Sequence, residues 1–161
     1  MKKAAKDIER WARLADLVLI IAREIQFRGY SDDRAVPLTA SEGMVMRYLQ
    51  SHPVAAPNQI ASTVGIQRTN LSTLLRGLES KGLLTRRTSP DDRRGVMVHL
   101  TERGSGNYAL ARREWATAVS MAAENDTSSL DRTLGLLGKI QAGLAEMRPR
   151  SAGRDMLKAE N

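Results

Sequence analysis

Residues 58–81 read NQIASTVGIQRTNLSTLLRGLESK, and residues 82–101 continue GLLTRRTSPDDRRGVMVHLT. Asn58-Gln-Ile-Ala-Ser-Thr-Val64 is a short helical pattern that Gly65 breaks. Ile66 then restores an apolar anchor, and residues 68–81 repeat apolar positions with helical period. Two short helices parted by a glycine turn have the spacing of a helix-turn-helix. At about 100° per residue, Leu71, Leu74, Leu75 and Leu78 fall on one side of the second helix, with Thr69, Thr73, Arg76 and Ser80 near the other. That outward side is small, polar and basic. Small hydroxyls let a helix sit deep in a major groove, and an arginine there can bond a guanine edge or a phosphate. A solvated amphipathic helix shows the same pattern, so the helix alone does not decide.

The segment C-terminal to this helix is more specific. Gly82 stands where a left-handed helix terminator belongs, and residues 83–88 read as a strand. Residues 89–95 are a turn-rich tip with paired arginines, and Val96, Val98 and Leu100 alternate along a second strand, facing one way. An arginine at the end of a narrow hairpin can reach a minor groove, where the negative potential is deepest at A·T-rich steps. Between residues 57 and 104 stand eight basic side chains (Arg68, Arg76, Lys81, Arg86, Arg87, Arg93, Arg94, Arg103) and four acidic ones (Glu79, Asp91, Asp92, Glu102). The surplus of four is over half of the chain's net +7.

The pattern Asp92-x-Arg94-x-x-x-Val98-x-Leu100-Thr101, after a helix ending Glu79-Ser-Lys-Gly-Leu-Leu, resembles the wing of the MarR family of transcriptional regulators. The resemblance covers roughly residues 38–104 by motif, and the flanking helices by their placement. It implies a homodimeric, ligand-responsive DNA-binding protein in which Arg94 enters the minor groove, Asp92 orients it and Arg93 is a second contact. The helix candidates for DNA contact are Arg68, Thr69, Asn70, Ser72, Thr73 and Arg76, joined on the wing by Arg86. One departure bears on that set. Gln67 stands where such proteins commonly place Ser, Thr or Asp as helix cap, and a poor cap predicts a start one or two residues later.

The chain has 161 residues, 42% hydrophobic and 27% charged, which suits a small globular domain carrying additional helices. A pI near 10.2 points to a polyanionic partner, nucleic acid first. Cysteine is absent, which excludes disulfides, thiolate metal sites and a thiol redox switch. The basic start, Met1-Lys-Lys-Ala-Ala-Lys6, runs at once into acidic and aromatic residues rather than an apolar leader, so a cytoplasmic protein is expected.

Residues 7–26 are a helix by pattern. Ile8, Trp11, Ala15, Val18, Ala22 and Ile25 form its stripe, widened by Leu14, Leu17 and Ile21. The run 17–22 is apolar all round, too short to span a bilayer, and needs protein cover from its own chain or from a second subunit. Residues 27–37 are a polar loop. Thr39 caps the next helix, with Val45, Met46 and Leu49 inward, and His52-Pro53 ends it. Thr101 caps a long helix towards residue 125 containing Tyr108, Ala111, Trp115, Val119 and Ala122. A last helix after Ser128 carries Leu130, Leu134, Leu137, Ile140, Leu144 and Met147 as a stripe that needs a partner surface.

The expected architecture is thus mainly α with a small β wing. Residues 1–36 form an N-terminal dimerisation helix and loop, 37–104 a winged helix-turn-helix domain, 105–148 C-terminal dimerisation helices, and 149–161 a flexible tail. Trp11, Phe27, Tyr30, Tyr48 and Trp115 could line a pocket for an aromatic effector where helices meet the winged domain, or serve as ordinary core. His52 and His99 have no acidic or histidine neighbours at ligand spacing, and neither a phosphate loop nor a Ser/His/Asp pattern occurs. The expectation is a regulator without cofactor, metal or catalysis, a repressor on a pseudo-palindromic duplex, its recognition helices in successive major grooves and its wings in flanking minor grooves. Two rivals are a winged-helix module binding an acidic protein and a nucleic-acid-processing enzyme.

Overall fold

The computed structural model describes residues 2–88 and 95–148 and contains, in chain order, α1 (Lys2–Phe27), α2 (Ala40–Ser51), β1 (Val54–Ala55), α3 (Pro57–Val64), α4 (Arg68–Ser80), β2 (Leu84–Thr88), β3 (Val96–Leu100), α5 (Glu102–Ala122) and α6 (Leu130–Glu146). It divides after Glu124 into two units, the second built around α6.

In the first unit the core gathers at α2, α3, α4 and the sheet. Val45, Met46, Leu49, Ile60, Leu71, Leu75, Leu78, Leu83, Leu84 and Val98 are buried there, with Tyr108 and Ala111 of α5. Each of the larger apolar side chains contributes about 1.5–3 kcal/mol of burial, which fixes the helix faces more firmly than propensity does. Thr39 begins α2 with a reciprocal capping box. Glu42 N–H donates to Thr39 Oγ1 at 3.2 Å, and Thr39 N–H donates to Glu42 Oε2 at 2.9 Å. His52 ends the helix, its ring stacked on Tyr48 at 4.4 Å between centroids.

The sheet is antiparallel in the order β1-β3-β2, with Arg86 opposite Val98 and Val54 opposite His99. Strand β1 has no counterpart in the sequence reading. It is two residues long, held by β3 and by Leu100 N–H donating to Pro53 O at 2.8 Å. Of the three residues expected to face one way, Val98 is fully buried, Leu100 partly buried and Val96 46% exposed. Val96 borders an open groove beside Leu71 and Leu75, which leaves it more accessible than Val98.

Helix α1 carries the apolar run expected of it, with Ile8, Trp11, Leu17, Val18, Leu19, Ile20 and Ile21 exposed on this single chain. In the second unit, α6 is one helix with no second element of that unit to cover the stripe from Leu130 to Met147 among the described residues. Among the described residues no helix is long and apolar enough to cross a membrane.

Candidate nucleic-acid interface

Gly65 makes the turn between α3 and α4 in the left-handed region, φ 76°, while its N–H and that of Ile66 both donate to Ala61 O. Helix α4 then starts at Arg68. Gln67 is its N-cap and makes no side-chain cap bond, so the later start expected from a poor cap does not occur. Packing decides the start instead: Leu71 N–H donates to Gln67 O at 2.9 Å, and Leu71 is 2% exposed.

Burial of Leu71, Leu75 and Leu78 turns the opposite face of α4 outward. Arg68, Thr69, Asn70, Ser72, Thr73 and Arg76 are all exposed, with Thr69, Thr73 and Arg76 nearest the middle of that face. Thirteen residues give a helix about 20 Å long, a length that lies readily along a groove about 12 Å wide. Among the described residues Arg68, Arg76 and Arg87 enter no ion pair, so their charges face solvent. Asp92, Arg93 and Arg94 lie outside the described residues.

Both ends of the segment entering the wing are fastened. Gly82, φ 71°, closes α4, with Leu83 N–H donating to Leu78 O at 3.0 Å. Lys81 Nζ donates to Glu42 Oε1 and Oε2 at 2.7 and 2.9 Å and to Pro37 O at 3.1 Å, so the buried Glu42 carboxylate caps α2 and also anchors the end of α4. Arg86 is not free. Its guanidinium meets Glu79 at 2.6 Å, and this bonding holds the Glu79 carboxyl below its ordinary pKa, chiefly through the side-chain bond. Between α3, α4 and the wing lies a groove of about 230 Å³ with Leu71, Leu75 and Val96 among its lining and Asn58, Arg68, Ser72 and Arg86 as its polar groups.

The five aromatic residues considered for an effector do not gather as one group. Tyr30, Tyr48 and Trp115 all pack against the core that includes Tyr108, whose ring meets Trp115 edge-on at 6.2 Å. Leu38 N–H donates to the Tyr30 hydroxyl at 3.3 Å, while burial raises the phenol's pKa against that bond and against the nearby indole. Trp115 Nε1 is buried without a well-formed hydrogen bond. Tyr48 stacks on His52 at the end of α2. Trp11 and Phe27 stand on α1, 56% and 71% exposed, the latter under the Arg23 guanidinium at 5.2 Å.

Sequence reasoning did not find the fastening residues. No local pattern gives Glu79, Glu42, Asn107 or Glu114 a fastening role. Yet Asn107 is buried and exchanges hydrogen bonds with both the N–H and the carbonyl of Val36. Glu114 accepts from Ser31 N–H, Ser31 Oγ and Asp32 N–H. The partners of Asn107 and Glu114 lie 71 to 83 residues away, beyond any local pattern.

The family model described as MarR family matches residues 38–96, from the N-terminus of the α2 segment through both helices into the wing. A protein named as a putative transcriptional regulatory protein for the hcr operon of Thauera aromatica is 32% identical over 85 residues, 49% of this chain and 50% of that protein. The chain thus spans about half the length of the curated relative it matches. Among solved structures, the transcriptional repressor CouR bound to a 23-mer DNA duplex is 32% identical with a TM-score of 0.57, covering 65% of this chain and 75% of that one. The transcriptional regulator BldR from Sulfolobus solfataricus shares the fold at a TM-score of 0.69 and 20% identity, covering 88% of this chain and 99% of its own. With the helix pair, the exposed polar face of α4 and the three-stranded wing all falling within or beside the matched segment, the chain belongs to the MarR family.

Proposed function

We propose that this chain is a transcriptional regulator that binds a pseudo-palindromic duplex as a homodimer and represses, and that a small organic molecule modulates it. The exposed polar face of α4 carries this reading. Six exposed side chains able to meet bases or phosphates surround the accessible part of a helix held by three buried leucines, with Arg68 and Arg76 outside any ion pair among the described residues. Contacts of this kind position a protein on phosphates and read base edges. Asp92, Arg93 and Arg94 would add the wing-tip contacts that the resemblance assigns them. Repression is supported by likeness to CouR, itself a repressor seen on DNA.

A homodimer is supported by two exposed apolar stripes among the described residues, one on α1 in the first unit and one on α6 in the second, and this fits the reading of residues 1–36 and 105–148 as dimerisation segments and 37–104 as the reading domain. Two recognition helices about 34 Å apart would reach successive major grooves of a symmetric site. For the effector, an aromatic or amphipathic molecule is supported by the packing of Tyr30 and Trp115 against one core and by the buried indole N–H that lacks a well-formed bond, with Trp11, Phe27 and Tyr48 as further candidates. A ligand that favours another spacing lowers DNA affinity without touching a base, at about 1.4 kcal/mol of differential binding per tenfold.

The test is selection of duplexes from a random-sequence pool, followed by footprinting. An inverted repeat with half-sites about one helical turn apart is expected. Enrichment of nothing, or of unrelated sequences with equal affinity, would overturn site-specific regulation and favour a protein-binding module.

A further inference from the structure

Strand β2 is an edge. It pairs with β3 on one side only, so alternate backbone N–H groups along it face away from the sheet and need partners elsewhere. At Arg86 that N–H donates to Glu79 Oε1 at 3.0 Å, and Arg86 Nε donates to Glu79 Oε2 at 2.8 Å, with Nη2 2.6 Å from the same oxygen. One carboxylate, on the penultimate residue of α4, therefore grips both the main chain and the guanidinium of a wing residue. Both side chains are only about one-third exposed, at 33% and 32%, and hydrogen bonds between oppositely charged groups are stronger than neutral ones.

A helix and a hairpin that enter different grooves of one duplex can do so together only at one mutual angle. We propose that Glu79 is a positioning residue for DNA binding, fixing the wing against α4 through Arg86, so that Arg86 serves the protein's own geometry rather than a phosphate. This rests on the DNA-binding reading above. A charge-only account predicts the opposite sign. Glu79 is an anion beside a polyanion and neutralises an arginine, so removing it would then tighten binding and steepen the salt dependence by about 0.9 in log K against log salt for each subunit bound.

The experiment compares the parent with Glu79→Gln, Glu79→Asp, Arg86→Gln and the Glu79→Gln/Arg86→Gln double variant. The probe is a duplex of about 30 base pairs, three helical turns, enriched by the parent from a random pool. Circular dichroism checks folding, and Glu79→Asp, which keeps the charge but shortens the reach, covers the case in which Glu79→Gln does not fold. Positioning predicts that both Glu79 variants bind about tenfold more weakly, and that the double variant is no weaker than Glu79→Gln. Hydroxyl-radical protection should fall at the flanks of the site while the centre under α4 stays protected. Binding by Glu79→Gln equal to or tighter than the parent, parent-like binding by Glu79→Asp, or equal loss at centre and flanks would each overturn it. If the parent enriches no duplex, the DNA-binding reading itself fails and takes the proposal with it.

Discussion

Replacing Gly104 by alanine puts a methyl group where the fold has no room. A Cβ built there lies 1.9 Å from the carbonyl oxygen of Leu83, 2.8 Å from its carbonyl carbon and 3.0 Å from Leu100 Cδ1. Real Cβ atoms essentially never come closer than 3.0 Å, so the carbonyl must recede by about 1.1 Å. It is not free to do so, because Leu83 and Leu84 are fully buried and Leu83 O accepts the N–H of Thr101 at 3.2 Å. Overpacking costs about 1–3 kcal/mol, and loosening that hydrogen bond costs roughly 1 more. A loss of about 3 kcal/mol is expected, a large share of the roughly 5–15 kcal/mol that holds a typical domain. Gly106, two residues along the same helix, supplies the control. A Cβ there meets nothing within 4 Å, so Gly106→Ala should stabilise by about 0.5–1 kcal/mol through helix propensity. Urea unfolding of the two variants beside the parent measures both. A Gly104→Ala variant within about 1 kcal/mol of the parent, or two variants shifting in the same direction, would refute the packing of α5 on the entry to the wing.

Leu137→Asp places a charge in the α6 stripe and should convert the proposed dimer to monomer or aggregate in sedimentation, while a variant that stays dimeric removes that stripe from the proposed subunit interface. The loop before α2 should loosen in acid. Its tether Glu114 is held below its ordinary value of 4.5, first by the Ser31 N–H, and neighbouring Asp32 is held at about 2, first by the Arg34 side chain. Because both folded values are depressed, their contribution is present above the unfolded values and is lost as pH falls through the folded ones. The Ser31 and Asp32 amide resonances should therefore titrate below about pH 4.5 and cease to follow that titration in Glu114→Gln; a parent whose Ser31 amide does not respond over that range contradicts the tether.

The reading helix was legible in the sequence because its signals are local. Leucines at helical spacing, Gly65 and Gly82 at positive φ, and Thr39 and Thr101 as caps each act within a few residues of themselves. Strand β1 was not legible, since a two-residue strand exists only through its pairing with Val98 and His99. The polar anchors were not legible for a related reason. Nothing within a few residues of Glu42 marks it as buried, yet it is 5% exposed, and Lys81, 39 positions on, folds back to neutralise it. Gln67 misled in the other direction: cap preference is worth about 1 kcal/mol, less than burying Leu71, so packing set the helix start.

The most direct test of the central claim is the affinity for the selected duplex measured as a function of salt. The proposed dimer, presenting Arg68 and Arg76 from each α4 with the wing arginines, should make several phosphate contacts, each contributing about −0.9 to the slope of log K against log salt. A slope of about −4 or steeper is predicted. An affinity that barely changes between low and physiological salt would contradict it.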